Sequence, residues 1–135
     1  MEKVSKDFAE KEVNRFLDFK KVGKLKREDN FDGVNTLVDA VMCGDIEIDE
    51  NCIITHKLQF PITNDEGEIT VRELVYQPRL RVDKIQSSMK GVKANDADGR
   101  ILAYINAITD KPKGILRHLE STDYSICQGI AVFFL

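Results

Sequence analysis

The apolar residues of this chain change their spacing twice. They recur at helical intervals up to Gly44, alternate from Ile46 to Tyr76, and return to helical intervals after Leu80. Side chains recur on one face of a helix every 3.6 residues and on one face of a strand every two, so a segment patterned for one cannot bury a continuous face as the other. The order of elements follows: helices, a small antiparallel sheet, then helices again. That is an α+β arrangement, with N-terminal helices, a hairpin plus one strand, and a C-terminal helical subdomain.

Within the first block, Ser5 is placed to cap a helix that carries Phe8, Val13, Phe16 and Leu17 on one side, with Asp7 in its first turn. A basic, polar link from Lys20 to Asn30 leads to a second helix bearing Phe31, Val34, Leu37, Val38, Val41 and Met42, which Gly44 can end in a left-handed conformation. In the β block, Ile46 and Ile48 alternate with acids and Asp49-Glu50-Asn51 turns the chain. Cys52, Ile54, His56, Leu58 and Phe60 then share one face, with Pro61 ending the strand. Asn64-Asp65-Glu66-Gly67 is a second turn, and the following strand runs to Tyr76. Its Ile69 and Val71 are out of phase with Leu74 and Tyr76, which requires a bulge or a bend. Beyond Pro78 lie a short helix within Leu80–Met89, a polar loop from Gly91 to Gly99, and a stripe of Ile101, Leu102, Ile105 and Ile108. A brief helix follows with Ile115, Leu116 and Leu119, and a closing helix is capped by Thr122.

At 135 residues the chain fits one domain, with residues 1–50 as the N-terminal helical region and start of the hairpin, 51–78 as the sheet, and 79–135 as the second helical region. It has neither a twenty-residue apolar run nor a charged-then-apolar start, so the expectation is a cytoplasmic protein with no membrane contact. A formal net charge of −3 gives no global pull toward nucleic acid or anionic lipid. The three cysteines, Cys43, Cys52 and Cys127, are odd in number and far apart, which reads as reduced, mostly buried thiols.

A search for chemistry returns structural readings. His56 and His118 have no neighbour at the spacing that prebuilds half a zinc site; His56 is expected to be half-buried with a hydrogen-bonded tip, and His118 exposed. Asp96-Ala97-Asp98-Gly99-Arg100-Ile101 resembles the middle of a calcium-binding EF-hand loop, but Ala94 and Ile105 stand where the first and twelfth ligands belong, so a loop leading to a helix cap is the better reading. No nucleophile elbow, phosphate-binding glycine loop or metalloprotease motif is present, and neither an enzymatic activity nor a metal or cofactor is expected. The basic run Lys20-Lys21-Val22-Gly23-Lys24-Leu25-Lys26-Arg27 has no interleaved aromatic and is followed by Glu28 and Asp29, which favours a solvated linker over a nucleic-acid contact; Arg79, Arg81 and Lys84 are the other basic group.

One resemblance goes further than composition. From His56 onward the chain looks like the short tail assembly chaperones of long-tailed bacteriophages and prophages. These open on a Leu-x-x-Pro-Ile strand, here Leu58-Gln59-Phe60-Pro61-Ile62. An acidic turn, a strand with a Glu-Leu pair and a Pro-x-x-x-Asp step into a helix follow, to which Glu73-Leu74 and Pro78 through Asp83 are similar, the last spacing being longer by one. An Ile/Leu-rich helix ends like Ile108-Thr109, and an Asp-Tyr pair opens the last helix, like Asp123-Tyr124. The residues before His56 have no counterpart in the family. The resemblance implies a non-enzymatic binder of the tape-measure protein, with the tail-tube protein as a second partner, acting in the bacterial host cytoplasm before the tube polymerises and absent from the mature virion. A structural tail or head-tail component and a small nucleic-acid-binding regulator are the alternatives.

The closing helix supplies the candidate interaction residues Tyr124, Phe133 and Leu135. Its stripe of Tyr124, Cys127, Ile130, Ala131 and Phe134 is expected to face inward, which leaves Phe133 turned toward a partner or a second copy of the chain.

Overall fold

The computed structural model describes residues 3–135. The elements are α1 (Lys6–Phe19), α2 (Lys24–Asp29), α3 (Phe31–Cys43), β1 (Ile46–Ile48), β2 (Ile54–Thr63), β3 (Ile69–Tyr76), α4 (Val82–Ser88), α5 (Ala97–Thr109), α6 (Lys113–Leu116) and α7 (Ser121–Ala131), which ends in a 3₁₀ turn, Val132–Phe134. The strands form one antiparallel sheet in the order β1-β2-β3. The class is α+β, with helices before and after the sheet in the chain.

Ser5 caps α1, its hydroxyl accepting from the Phe8 amide. The buried stripe is Ala9, Val13, Phe16 and Leu17, while Phe8 is half exposed. Phe8 and Val13 are five residues apart, about 140° around the helix, whereas Ala9, Val13 and Phe16 follow the four-then-three spacing of a single face. Helix α3 ends at Gly44, whose φ of +77° is open to glycine at little cost, and the Asp45 amide then bonds back to the Ala40 carbonyl. Helix α1 packs on α3, α3 on α7, α7 on β2, and α5 on β3. The inward face of the sheet carries Ile46, Ile54, His56, Leu58, Leu74 and Tyr76, all buried. On the opposite face Lys57 stands across from Glu73 and its ammonium reaches Glu47 at 2.8 Å.

The phase change between Val71 and Leu74 corresponds to a large irregularity in the β2–β3 ladder, but its extra residues lie in β2, and β3 itself is continuous. Lys57 pairs with Glu73 and Ile62 with Val71, so the four residues Leu58 to Pro61 stand against Arg72 alone. This bulge corrects two expectations. Strand β2 continues through Pro61 to Thr63, because a residue already out of the ladder has no use for the donor that proline lacks. Phe60 is 53% exposed, because the irregularity breaks the alternation that would have turned it inward.

Three further expectations are revised. The segment Lys20–Asn30 is a packed joint with a short helix, not a solvated linker: the Lys20 ammonium donates to the Pro78 carbonyl at 2.9 Å and lies 3.6 Å from the Phe134 ring centre, and Arg27 bonds to Asp18 and to the Val22 carbonyl. Helix α7 is capped by the Glu120 side chain, which accepts from the Thr122 amide, so Thr122 lies inside the helix. Finally, Phe133 is 2% exposed and Phe134 lies half-buried under Lys20, the reverse of the expected order. The inward arc of α7 runs through Asp123, Ile126, Ile130 and Phe133. An apolar count omits the buried carboxylate at 123, starts from Tyr124, and reaches Phe134 one residue late.

Candidate functional site

The most unusual chemistry in the molecule is buried between the sheet and α7. Asp123 and Cys127 are four residues apart, which puts them one above the other on the same face of α7. His56 and Tyr76 face them from adjacent strands, with His56 opposite Leu74 and Ile54 opposite Tyr76 in the ladder. All four residues are 0% exposed.

Asp123 is held by backbone. Its Oδ1 accepts from the Gln59 amide at 2.9 Å and its Oδ2 from the Phe60 amide at 3.0 Å. Both amides lie in the stretch of β2 that has no partner on β3. A buried N–H without an acceptor costs about 1–3 kcal/mol, so the carboxylate substitutes for the missing strand, and its charge strengthens both bonds.

The second half of the cluster is a chain of weaker donors. The Tyr76 hydroxyl donates to Cys127 Sγ at 2.9 Å, and His56 Nδ1 lies 3.1 Å from the same hydroxyl oxygen. Which of His56 Nδ1 and the Tyr76 hydroxyl donates in this contact follows the tautomer of the imidazole. The other ring nitrogen, Nε2, has no hydrogen-bond partner and stands 3.6 Å from Asp123 Oδ1, just beyond hydrogen-bond range. Burial draws the histidine below its ordinary value, against the opposite pull of the Asp123 and Asp45 charges. Burial also pushes the Cys127 thiol up to about 12, and Tyr76 well above its ordinary value.

This geometry defines what the cluster can do. The thiol is protonated and enclosed, so no substrate atom reaches it and no thiolate is available to attack one. Cys127 lies on the Nδ1 side of the imidazole and Asp123 on the Nε2 side, so one ion cannot take both with the ring. Among the described residues no three His, Cys, Asp or Glu side chains converge as a metal-binding group. The cluster is a polar joint that fixes α7 to the bulged strand.

The other residues singled out from the sequence are dispersed. Tyr124 is half-buried in a shallow depression with Leu102, Leu116 and Leu119; Leu135 is 51% exposed beside Ala97, Arg100 and Ile101; Phe133 is inaccessible to any partner, its ring held against Gly33. The three do not form one surface. His118 is exposed in the link between α6 and α7 and is not part of the cluster. Asp96 caps α5, accepting from the Gly99 amide at 2.9 Å, as a cap-forming loop requires. Cys52 and Cys127 are buried and Cys43 half-buried, all three as free thiols.

Sequence reasoning missed the roles of Asp123, Tyr76 and Arg15. Arg15 joins α1 to the β1–β2 turn, donating to the Ile48 and Asp49 carbonyls and to Cys52 Sγ. The available signals were a histidine on an apolar strand face and a carboxylate at the third position of a helix that packs on that strand. Set against protein-family models, curated proteins and solved structures, the chain has no match.

Proposed function

We infer that the protein is a non-enzymatic tail assembly chaperone of a long-tailed phage or prophage, which holds the tape-measure protein, with the tail-tube protein as a second client, before the tube polymerises. The observation that carries this reading is the way the segments of the resemblance engage one another. Leu58-Gln59-Phe60-Pro61-Ile62 forms the bulge, Glu73-Leu74 lies in the strand beside it, and Asp123 of the Asp-Tyr pair binds the bulge amides at 2.9 and 3.0 Å. A motif whose separated parts meet at one joint behaves as a single structural signature.

A second observation is compatible with a holding role. Phe8, Leu25, Phe31, Phe60, Val82 and Leu135 are each at least half exposed. A long helical client presents apolar stripes that need cover until assembly, and exposed apolar side chains supply it. Such a chaperone acts in the host cytoplasm and leaves before the particle is complete.

The test is co-expression with the product of a neighbouring open reading frame that encodes a very long helical protein. The client is expected to remain soluble and to co-purify only when this chain is present, and mass spectrometry of purified virions is expected to find the tape measure without it. Stoichiometric recovery from virions would instead identify a structural tail component.

A further inference from the structure

The two basic segments of the sequence converge. Lys20 and Arg79 are far apart in the chain, yet the Lys20 ammonium donates to the carbonyl of Pro78, next to Arg79, at 2.9 Å. The Arg79 guanidinium covers the Phe19 ring at 4.5 Å, Lys20 covers Phe134 at 3.6 Å, and Lys26 bonds to the Leu135 carbonyl. Arg79, Arg81 and Lys84 then line one open depression. Burial, with repulsion from Arg79 and Lys26, brings Lys20 down to about 8, as expected where like charges are crowded.

The charge of this corner is only partly neutralised. Arg27 is paired with Asp18, Arg81 with Asp83, and Lys84 with Asp110. Lys20, Lys21, Lys24 and Arg79 have no Asp or Glu carboxylate within 4.0 Å among the described residues, Lys26 is held by the Leu135 oxygen, and the exposed Glu28 and Asp29 at the end of α2 pair with none of them. A chain with a net charge of −3 thus gathers unpaired cations at one corner. The same corner exposes aliphatic side chains: Leu25 is 74% exposed, Val82 66% and Leu135 51%. A phosphate backbone would use the cations but gain nothing from these groups, whereas a helix with acidic and apolar residues at helical spacing would use both.

We propose that the corner formed by the end of α1, by α2, by the Pro78–Lys84 segment and by the C-terminal residues is a docking surface for an acidic amphipathic helix of another protein. It rests on the chaperone reading only for the identity of the client, of which it names the bound chemistry. Field and apolar contact divide the work: Lys21, Lys24 and Arg79 orient the acidic side chains, the engaged Lys20 and Lys26 add to the field that steers them, and Leu25, Val82 and Leu135 cover the apolar ones.

The experiment titrates the full-length, isotope-labelled protein with a helical peptide carrying Glu and Leu at amphipathic spacing, up to millimolar concentration, with amide shifts as readout. Parallel titrations use the same peptide with Lys for Glu, a poly-glutamate and a single-stranded oligonucleotide. Shifts are expected at Lys20, Lys24, Arg79 and Val82 with the Glu/Leu peptide, with weaker binding of poly-glutamate and none of the Lys peptide. Affinity should fall with salt and by about tenfold in the Lys24→Glu/Arg79→Glu double variant. Should loss of the Arg79–Phe19 contact unfold that variant, Lys24→Glu alone serves, since Lys24 is exposed. Absence of shifts at the corner, tighter binding of the oligonucleotide, or self-association abolished by the same substitutions would each overturn the proposal. Peptide binding at the corner without capture of a long helical client would leave the surface standing and sink the chaperone reading; client capture unaffected by Lys24→Glu/Arg79→Glu would do the opposite.

Discussion

Replacing Asp123 removes the acceptors of two β2 amides at once. An asparagine of the same shape can accept from only one of the Gln59 and Phe60 amides and turns its own N–H₂ toward the other. Asp123→Asn should therefore cost about 2–4 kcal/mol in chemical denaturation, the range for a buried charged acceptor replaced by a mismatched one. A loss within about 0.5 kcal/mol would mean that the bulge amides find water instead. The adjoining His56 should make stability depend on pH. Its folded-state value is lowered by burial, so the unfolded chain takes up this proton first as pH falls. The contribution of neutral His56 is complete above the unfolded value of about 6.5, falls as pH drops below it, and levels off once the folded value is passed. Melting midpoints between pH 7 and pH 5 should drop more steeply for the natural protein than for His56→Gln, and parallel slopes would rule out this histidine as the cause.

At the scale of elements, α7 shows where local pattern and tertiary contact part. Gly129 lies in the last turn of this helix, which the 3₁₀ turn continues, and alanine inside a helix would ordinarily stabilise by about 0.5–1 kcal/mol. A Cβ at 129, however, would stand 2.9 Å from Thr36 Cγ2 and 3.1 Å from Thr36 Cβ on α3. Gly129→Ala should therefore destabilise, by about 1–3 kcal/mol, because the helices must separate to admit it. A rise in the melting midpoint would show that the crossing yields. The same helix illustrates how much was legible beforehand. Its existence and its buried Cys127, Ile130 and Ala131 follow from spacing, but the burial of Ile126 and the exchange of Phe133 and Phe134 do not, because the position that centres its inward face is an aspartate. Strand β2 repeats the lesson. Its alternation holds from Ile54 to Leu58 and fails at Phe60, where the bulge responds to a carboxylate 63 residues further along the chain.

Across the whole molecule, α1, α3, α7 and the sheet contribute to one continuous core, so the enclosed groups should open together. The free thiols report this directly. Cys43 is half-buried, while Cys52 and Cys127 are enclosed. A thiol reagent applied to the native protein should modify Cys43 first and the other two at a common slow rate set by global opening, and that rate should rise in Asp123→Asn. Equally fast reaction at all three would show that α7 frays independently of the rest.

The local sequence by itself determined the α+β order, the capping of α1 by Ser5, the stop at Gly44 and both turns, and it located the phase change in β3, whose extra residues the structure places in β2. These are local properties, since side-chain direction follows from backbone dihedrals and each signal lies within a few residues of its effect. Only the tertiary structure decided which polar residues are inside and which charges lie together. Asp123 is buried because the β2 bulge leaves two amides unpaired, Lys20 is packed because Pro78 and Phe134 arrive beside it, and Phe133 turns inward because Gly33 leaves room for its ring. The transfer cost of a polar or charged group is offset by partners far away in sequence, and no local pattern carries the identity of those partners.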